Sequence, residues 1–287
     1  MPASWDRTTL GRSGLQVGRL GLGASFGVGT KDIERAYERG VNWLYWGSRR
    51  RERFGRAIRN IARRDREGLV VVVQSYSRSA LAMRASLEAA LRRLRIDYAD
   101  FLLLGWWGEM PPRRIMDEAH RLRDSGVVRH LMISGHNRPA FERFVQDGSF
   151  DAIMVRYNAA HRGAETEVFP NLGDDPPGVV AYTATRWGAL LNSKLVPPGE
   201  PAPRASDCYR FAMSNPHISL SLSGPKDTAE LDEALAALDR GPMDEDELAW
   251  MRRVGDAIHT APSTRTWRSP AHLLDELATA VASSFRS

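Results

Sequence analysis

The stretch LVVVVQSYSRSALAMRASLEAALRRLRIDYADFLLLG, residues 69–105, contains one complete structural unit of the chain. It opens on an aliphatic run, LVVVVQSY (69–76). A run with so little polar alternation predicts a strand covered on both faces, as in a parallel sheet. The middle, SALAMRASLEAALRRLR, has helical spacing, with Leu81, Leu87, Leu91 and Leu94 expected on one face. DFLLLG (100–105) then reads as a second strand. A helical connection of this length returns the chain to the end of the sheet from which it started, so the two strands are expected to run parallel.

The same alternation continues in both directions. GRLGLGAS (18–25) and VNWLYW (41–46) precede the unit; HLMISGH (130–136), DAIMVRYN (151–158), GVVAYTA (178–184) and ISLSLSG (218–224) follow it. Eight strand–helix units in strict alternation predict an α/β fold, a closed (β/α)8 TIM barrel. A doubly wound sheet would want a Gly-rich turn after its first strand, and GLGASFG displaces the third glycine of that pattern. Three additions surround the barrel. RTTLGRSGLQV (7–17) reads as a hairpin turning at Gly11–Gly14, a plug for the barrel floor. DEDELAWMRRVGDA (244–257) reads as an extra helix whose acidic first turn suits its dipole. Residues 260–287 read as a linker followed by a short amphipathic helix. The expected organisation is a single domain, 1–287, with a barrel core at about 7–257 and a C-terminal extension at 258–287.

Composition narrows the function classes. With 287 residues and 43% hydrophobic content the chain can bury a sizeable core. No apolar run reaches the roughly 18 residues of a membrane span. The opening MPASWDRTTLGRSG has no apolar signal region, and the single cysteine, Cys208, makes neither an internal disulfide nor a metal cluster. The expectation is a cytoplasmic protein with no metal, no membrane and no nucleic-acid partner. The net charge of +5 comes from arginines scattered among glutamates on helix faces. The densest run, Arg49–Arg53, is broken only by Glu52 and falls in a loop at the top of the barrel, where an anionic ligand would meet it.

Seven segments resemble the aldo-keto reductase family, in the family's order. They are RTTLGRSGLQVGRLGLG, GVNWLYWG, LEAALRRLRIDYADFLLLGWW, HLMISGHNRPAFE, VRYNAAHRGAE, VVAYTATRWGALL and SLSGPKDTAELDEALAAL. The resemblance implies NAD(P)H-dependent carbonyl reduction by an aspartate, a tyrosine acid, a lysine and a histidine at early strand ends. This chain departs at each position. Tyr45 stands where the aspartate belongs, and WGSRRRERFG has no tyrosine. Gln74 or Ser75 stands at the lysine position and Gly105 at the histidine. Lys31, Lys194 and Lys226 are the only lysines, and none lies near the third strand. Loss of a positioned general acid typically costs about 10²–10⁴-fold.

The cofactor side is better kept. The resemblance implies NADP (or NAD) bound by Ser134, Tyr182, Thr183, Thr185, Gly188, Lys226 and Glu233, with Tyr182 stacking on the nicotinamide and Lys226 placed for a 2′-phosphate. A glutamine and an asparagine of the family pattern are replaced by Met154 and Ala234.

Tyr45, Trp46, Tyr76, Trp106, Trp107, His136, Arg156, Tyr157, His161 and Arg162 are predicted to project from the barrel top, where active sites of this fold lie. Tyr45 or Tyr76 is the candidate replacement acid, with Arg156 or Arg49 lowering its pKa, and His136 is a candidate acid or base. Three functions fit: an oxidoreductase on an unknown carbonyl or alcohol, a catalytically inactive barrel binding nucleotide or small molecule, and a cofactor-free lyase or isomerase. Substrate and oligomeric state are left open by the sequence.

Overall fold

The computed structural model describes residues 5–47 and 49–260. The helix expected within 260–287 lies outside the described residues.

Eight parallel strands close into a barrel. They are β3 (Leu20–Gly23), β4 (Trp43–Trp46), β5 (Val70–Ser75), β6 (Ala99–Leu104), β7 (Val128–Ser134), β8 (Ala152–Arg156), β9 (Gly178–Tyr182) and β10 (Leu220–Ser223). Each pairs with the next, and β10 returns to β3. All eight expected strands are present. The helices around them are α1 (Thr30–Glu38), α2 (Glu52–Arg64), α3 (Ala80–Leu94), α4 (Arg113–Asp124), α5 (Ala140–Asp147), the short α6 (Ala164–Glu167), α7 (Ala205–Ser214) and α8 (Thr228–Arg240). The extra helix, α9, runs Glu245–Thr260. Among the described residues no helix is long and apolar enough to cross a membrane.

Side-chain alternation along the strands makes two cores. Trp43, Tyr45, Val70, Val72, Phe101, Leu103, Met132, Met154 and Val180 fill the barrel interior. Leu44, Trp46, Val71, Val73, Leu102 and Leu104 face the helices instead. In α3 the buried face is Met83, Leu87, Ala90, Leu91 and Leu94. Leu81 does not join it: it is 78% exposed. Six residues separate 81 from 87, which is 240° of helix rotation, whereas the spacing 83–87–90–94 holds one face. Each buried leucine contributes roughly 1.5–3 kcal/mol.

The hairpin of β1 (Thr8–Thr9) and β2 (Gln16–Val17) closes the N-terminal end of the barrel. Leu10 and Val17 enter the interior core from below. Gly11 has φ +48, and a Cβ there would meet Gly178 N at 2.0 Å, so only glycine allows the turn to reach the start of β9. Asn42, 1% exposed, pins the plug. Its Nδ2 donates to Gln16 O and Gly68 O, both at 3.0 Å, and its Oδ1 accepts from Gly18 N at 2.9 Å. With the floor sealed, the open mouth lies at the carboxyl ends of the strands.

Candidate active site at the barrel mouth

Four rings form an arc across this mouth. Tyr76, just past β5, packs on Trp106 with ring centroids 5.1 Å apart. Trp106, past β6, lies 6.0 Å from His136, and His136 lies 6.2 Å from Tyr182 at the end of β9. The Tyr182 hydroxyl and His136 Nδ1 are 3.3 Å apart. The arc is held in place by strained backbone. Trp106 has φ +58, a left-handed conformation rare for a bulky residue. Its N–H donates to Ser134 Oγ at 3.3 Å, and the Trp107 N–H donates to Ser134 O at 2.9 Å. Gly135 permits the close approach, since a Cβ there would stand 2.1 Å from Trp107 O. Arg78 clamps the outside of the wall by donating to the carbonyls of Tyr76, Gly105 and Trp106 while stacking over Trp107 at 3.8 Å.

Alternation places Tyr45 inward, 8% exposed and stacked on Trp43. Its hydroxyl lies against Gly47, where a Cβ would approach it to 2.3 Å. Arg50 is its electrostatic neighbour, rather than the Arg49 expected from sequence. Arg50 reaches across to the end of β5. It donates to Gln74 O at 2.9 Å and to Ser86 O and Oγ, both at 3.3 Å. Burial pushes its pKa down, and the Tyr45 phenol opposes that shift. Gln74 shares the inward parity of Val70 and Val72, while Ser75 falls on the other side. Gln74 is 5% exposed, and its Oε1 has no hydrogen-bond partner among the described residues. At Gly105 a Cβ would meet Gln74 Nε2 at 2.3 Å and the Tyr76 ring at 2.8 Å, so those two side chains fill the space a larger residue would need. Gly47, Arg50, Gln74, Ser75, Tyr76, Ser77 and Ser86 line an open recess of about 340 Å³.

The opposite rim is cationic. Arg156 ends β8 beside Tyr182 in register. It makes no hydrogen bond or ion pair among the described residues. Arg186, in the loop after β9, bonds Ile258 O and, among the described residues, no carboxylate. Burial, then Arg156, lowers its pKa. His161 is held down to about 4 by burial first, then by Arg156, Arg186, His259 and Arg138. The loop itself is strained, with φ of +59 at Thr183, +49 at Arg186, +51 at Trp187 and +85 at Gly188. Asn158 Nδ2 holds it by donating to Thr183 O at 2.9 Å.

The remaining expected residues divide. Thr185 Oγ accepts from Gly188 N at 3.3 Å, and the Thr183 hydroxyl donates to Tyr182 O at 2.7 Å. Lys226 is exposed and paired with Glu230. Glu233 accepts from Ser206 N and Oγ and pairs with Arg204, which occupies it at the start of α7. Trp46, Trp107 and Tyr157 are not at the mouth. All three are buried in the layer between barrel and helices. Trp46 packs on Phe54, and Tyr157 donates to Glu165 at 2.7 Å and stacks on Phe211. Trp46 follows Tyr45 and therefore faces the opposite way. Arg162 pairs with Asp256 at 2.8 Å. Sequence reasoning missed Arg50 and Arg186 as individuals. The run Arg49–Arg53 flagged the region, but which arginine turns inward is set by the loop. Among the described residues no group of three or more His, Cys, Asp or Glu is placed to hold a metal ion.

Comparison with known proteins agrees with this architecture. Residues 29–207 match the aldo/keto reductase family. A D-threo-aldose 1-dehydrogenase from a Pseudomonas species is 31% identical over 122 residues, 39% of this chain and 36% of that enzyme. An NADH-specific methylglyoxal reductase from Escherichia coli (strain K12) is 25% identical over 117 residues, again 39% of this chain and 36% of that enzyme. The chain thus spans about a third of the length of these curated relatives. Among solved structures, the holo form of an aldo-keto reductase from Bacillus halodurans superposes with a TM-score of 0.74 at 18% identity, covering 92% of this chain and 100% of that one. One from Klebsiella pneumoniae, solved with NADP and acetate, gives 0.73 at 21% identity, covering 92% and 98%. A family match over more than half the chain, on an eight-stranded barrel with its floor plugged and its mouth open, means that this chain belongs to the aldo/keto reductase family.

Proposed function

We propose that the chain is an NAD(P)(H)-dependent oxidoreductase acting on a carbonyl or alcohol substrate, with a mouth rebuilt around Tyr45. The observation that carries this reading is the pair Arg156 and Arg186. Arg156 stands beside the 183–188 loop and Arg186 within it, both without a carboxylate partner among the described residues. Half-buried cations kept close together are costly unless an anion is shared between them. A cofactor diphosphate on the strained loop supplies that anion, so the residues present fit the group. Thr183, Thr185 and Gly188 would hold its phosphates, Tyr182 and Ser134 its nicotinamide end. For NADP, Lys226 would exchange Glu230 for the 2′-phosphate, at small cost because the pair is exposed. Bound there, the cofactor supplies the two-electron reductant; the Klebsiella relative solved with NADP supports the assignment.

The chain's own residues do the rest. The aromatic arc of Tyr76, Trp106, His136 and Tyr182 walls the substrate and keeps water from the reacting carbon. Tyr45 donates a proton to the carbonyl oxygen as negative charge develops there. In the place of the family's lysine stands Gln74 or Ser75, and in that of its histidine Gly105, so turnover is expected to be slow. Three parallel measurements test the reading: NADPH and NADH titration by tryptophan fluorescence, cofactor oxidation against a carbonyl panel, and the same panel with Tyr45→Phe and Tyr76→Phe. Expected are micromolar binding, slow turnover, and a loss of about 10²-fold in kcat for Tyr45→Phe. Binding with no turnover on any carbonyl would instead establish the non-reducing, ligand-binding barrel. That second reading is favoured by the engagement of Glu233 with Arg204 and Ser206.

A further inference from the structure

The recess between the loops after β4 and β5 carries a chemistry that proton donation by Tyr45 does not use. Arg50 stands half-buried at its wall with no carboxylate within ion-pair distance among the described residues. Burial lowers its pKa, and Arg93, another cation, adds to that effect. Three of its N–H bonds go to neutral oxygens of Gln74 and Ser86, and a guanidinium has five to give. The Ser75 and Ser86 hydroxyls each accept a hydrogen bond, from Ser77 N and Arg50 Nη2, and neither donates one among the described residues. A cation and two hydroxyl donors therefore converge on one open volume of about 340 Å³. Beside them Gln74 Oε1, in a side chain 95% withdrawn from solvent, waits for a donor. A purely structural role for Arg50, bracing β5 against α3, accounts for its three bonds but leaves its charge uncompensated and the Gln74 oxygen orphaned. Both conditions are expensive in a half-buried site.

We propose that this recess is the subsite for a carboxylate carried by the substrate, so that the enzyme takes oxo-acids and the corresponding hydroxy-acids rather than neutral carbonyls. The inference rests on the oxidoreductase reading for the word substrate, though the anion subsite itself does not depend on turnover. The carboxylate takes the remaining Arg50 N–H groups and the hydroxyls of Ser75 and Ser86. The neighbouring Tyr45 then faces the carbonyl end of the same small molecule.

The test uses a matched pair of alcohols that cannot react without oxidised cofactor: 4-(hydroxymethyl)benzoate and benzyl alcohol. Each is titrated by ligand-observed NMR against the wild-type chain, Arg50→Met and Arg50→Lys, with circular dichroism confirming that each variant is folded. A charge-assisted contact is worth about 10–100-fold in affinity. The carboxylated probe is therefore expected to bind the wild type at least about tenfold more tightly than the neutral one. Arg50→Met should erase the ratio and Arg50→Lys should restore part of it. Equal affinities in the wild type, or a ratio that survives in folded Arg50→Met, would overturn the subsite. If Arg50→Met does not fold, Ser86→Ala, which removes one hydroxyl donor from the same recess, is expected to reduce the ratio severalfold, and an unchanged ratio there overturns it equally. A carboxylate preference in a chain that reduces no carbonyl would leave the subsite standing and remove only the oxidoreductase reading.

Discussion

The hydroxyl of Tyr182 and Nδ1 of His136 meet at 3.3 Å across the barrel mouth, tying the end of β9 to the loop after β7. The bond fixes the tilt of the Tyr182 ring, the surface on which a nicotinamide would stack. If the ring does the binding and the hydroxyl only orients it, Tyr182→Ala should weaken NADPH binding by about tenfold, the value of one aromatic contact. Tyr182→Phe should weaken it by less than about threefold. Fluorescence titration of the three proteins separates the cases. Equal losses in both variants would put the weight on the His136 bond instead.

Gly105 and Gln74 are coupled by volume. A Cβ at 105 would stand 2.3 Å from Gln74 Nε2, so Gly105→Ala is expected to cost about 1–3 kcal/mol through overpacking. Adding Gln74→Ala removes the nearer of the two obstacles, leaving the Tyr76 ring at 2.8 Å. The double variant should then be more stable than the sum of the single effects by about 1 kcal/mol or more, measured by denaturant unfolding. Strict additivity would show that Gln74 is not the obstacle.

The barrel was legible because eight aliphatic runs, the helical spacings between them and the Gly11–Gly14 turn are local properties, and local properties survive in a linear reading. Errors arose where direction mattered. Trp46 and Tyr45 are adjacent, so the strand's two-residue period sends one to the helices and the other to the mouth. Tyr157 lies one residue past β8 but keeps the parity of Ile153 and Val155, so it turns outward with them, to Glu165. Leu81 looked apolar enough to be buried, but its angle on α3 points to solvent. Arg50 was hidden inside a run of similar residues, because the loop after β4, and not any spacing rule, turns its guanidinium toward Gln74. The absence of a lysine near the third strand needed no geometry and could be read from the composition.

His161 makes stability depend on pH in a definite direction. Burial and the arginines around it hold its folded pKa near 4, against about 6.5 for the free side chain. Between these values the unfolded chain takes up a proton that the folded chain refuses. Stability is therefore full above about pH 6.5 and declines as the pH falls toward 4. Because the ring is only partly buried, the loss is on the order of 1 kcal/mol after solvent screening. Melting curves across this range should show a shallower decline in His161→Gln than in the wild type. Parallel curves would mean that His161 titrates normally. Bound diphosphate, by neutralising Arg156 and Arg186, should flatten the wild-type curve as well.

Asp100 is the carboxylate on which the lower part of the barrel depends, at 2% exposure near the start of β6. It accepts from Val71 N at 2.8 Å and from Arg66 at 2.9 Å, with Arg129 at 3.7 Å. Both arginines also sandwich the Tyr98 ring, at 3.8 and 3.9 Å. Burial raises the Asp100 pKa more than these cations lower it, so the ion pair itself adds little net stability. Breaking it is another matter, because the Val71 N–H would lose its acceptor and Arg66, still bonded to Leu69 O and Tyr98 O, its counter-charge. Asp100→Ala is expected to cost about 3–5 kcal/mol, which for a chain of this size lowers Tm by roughly 6–20 °C. Asp100→Asn keeps an acceptor for the Val71 N–H and should cost less than half as much. If the two variants melt together, the charge and not the hydrogen bond is what joins β5 to β6 at this point.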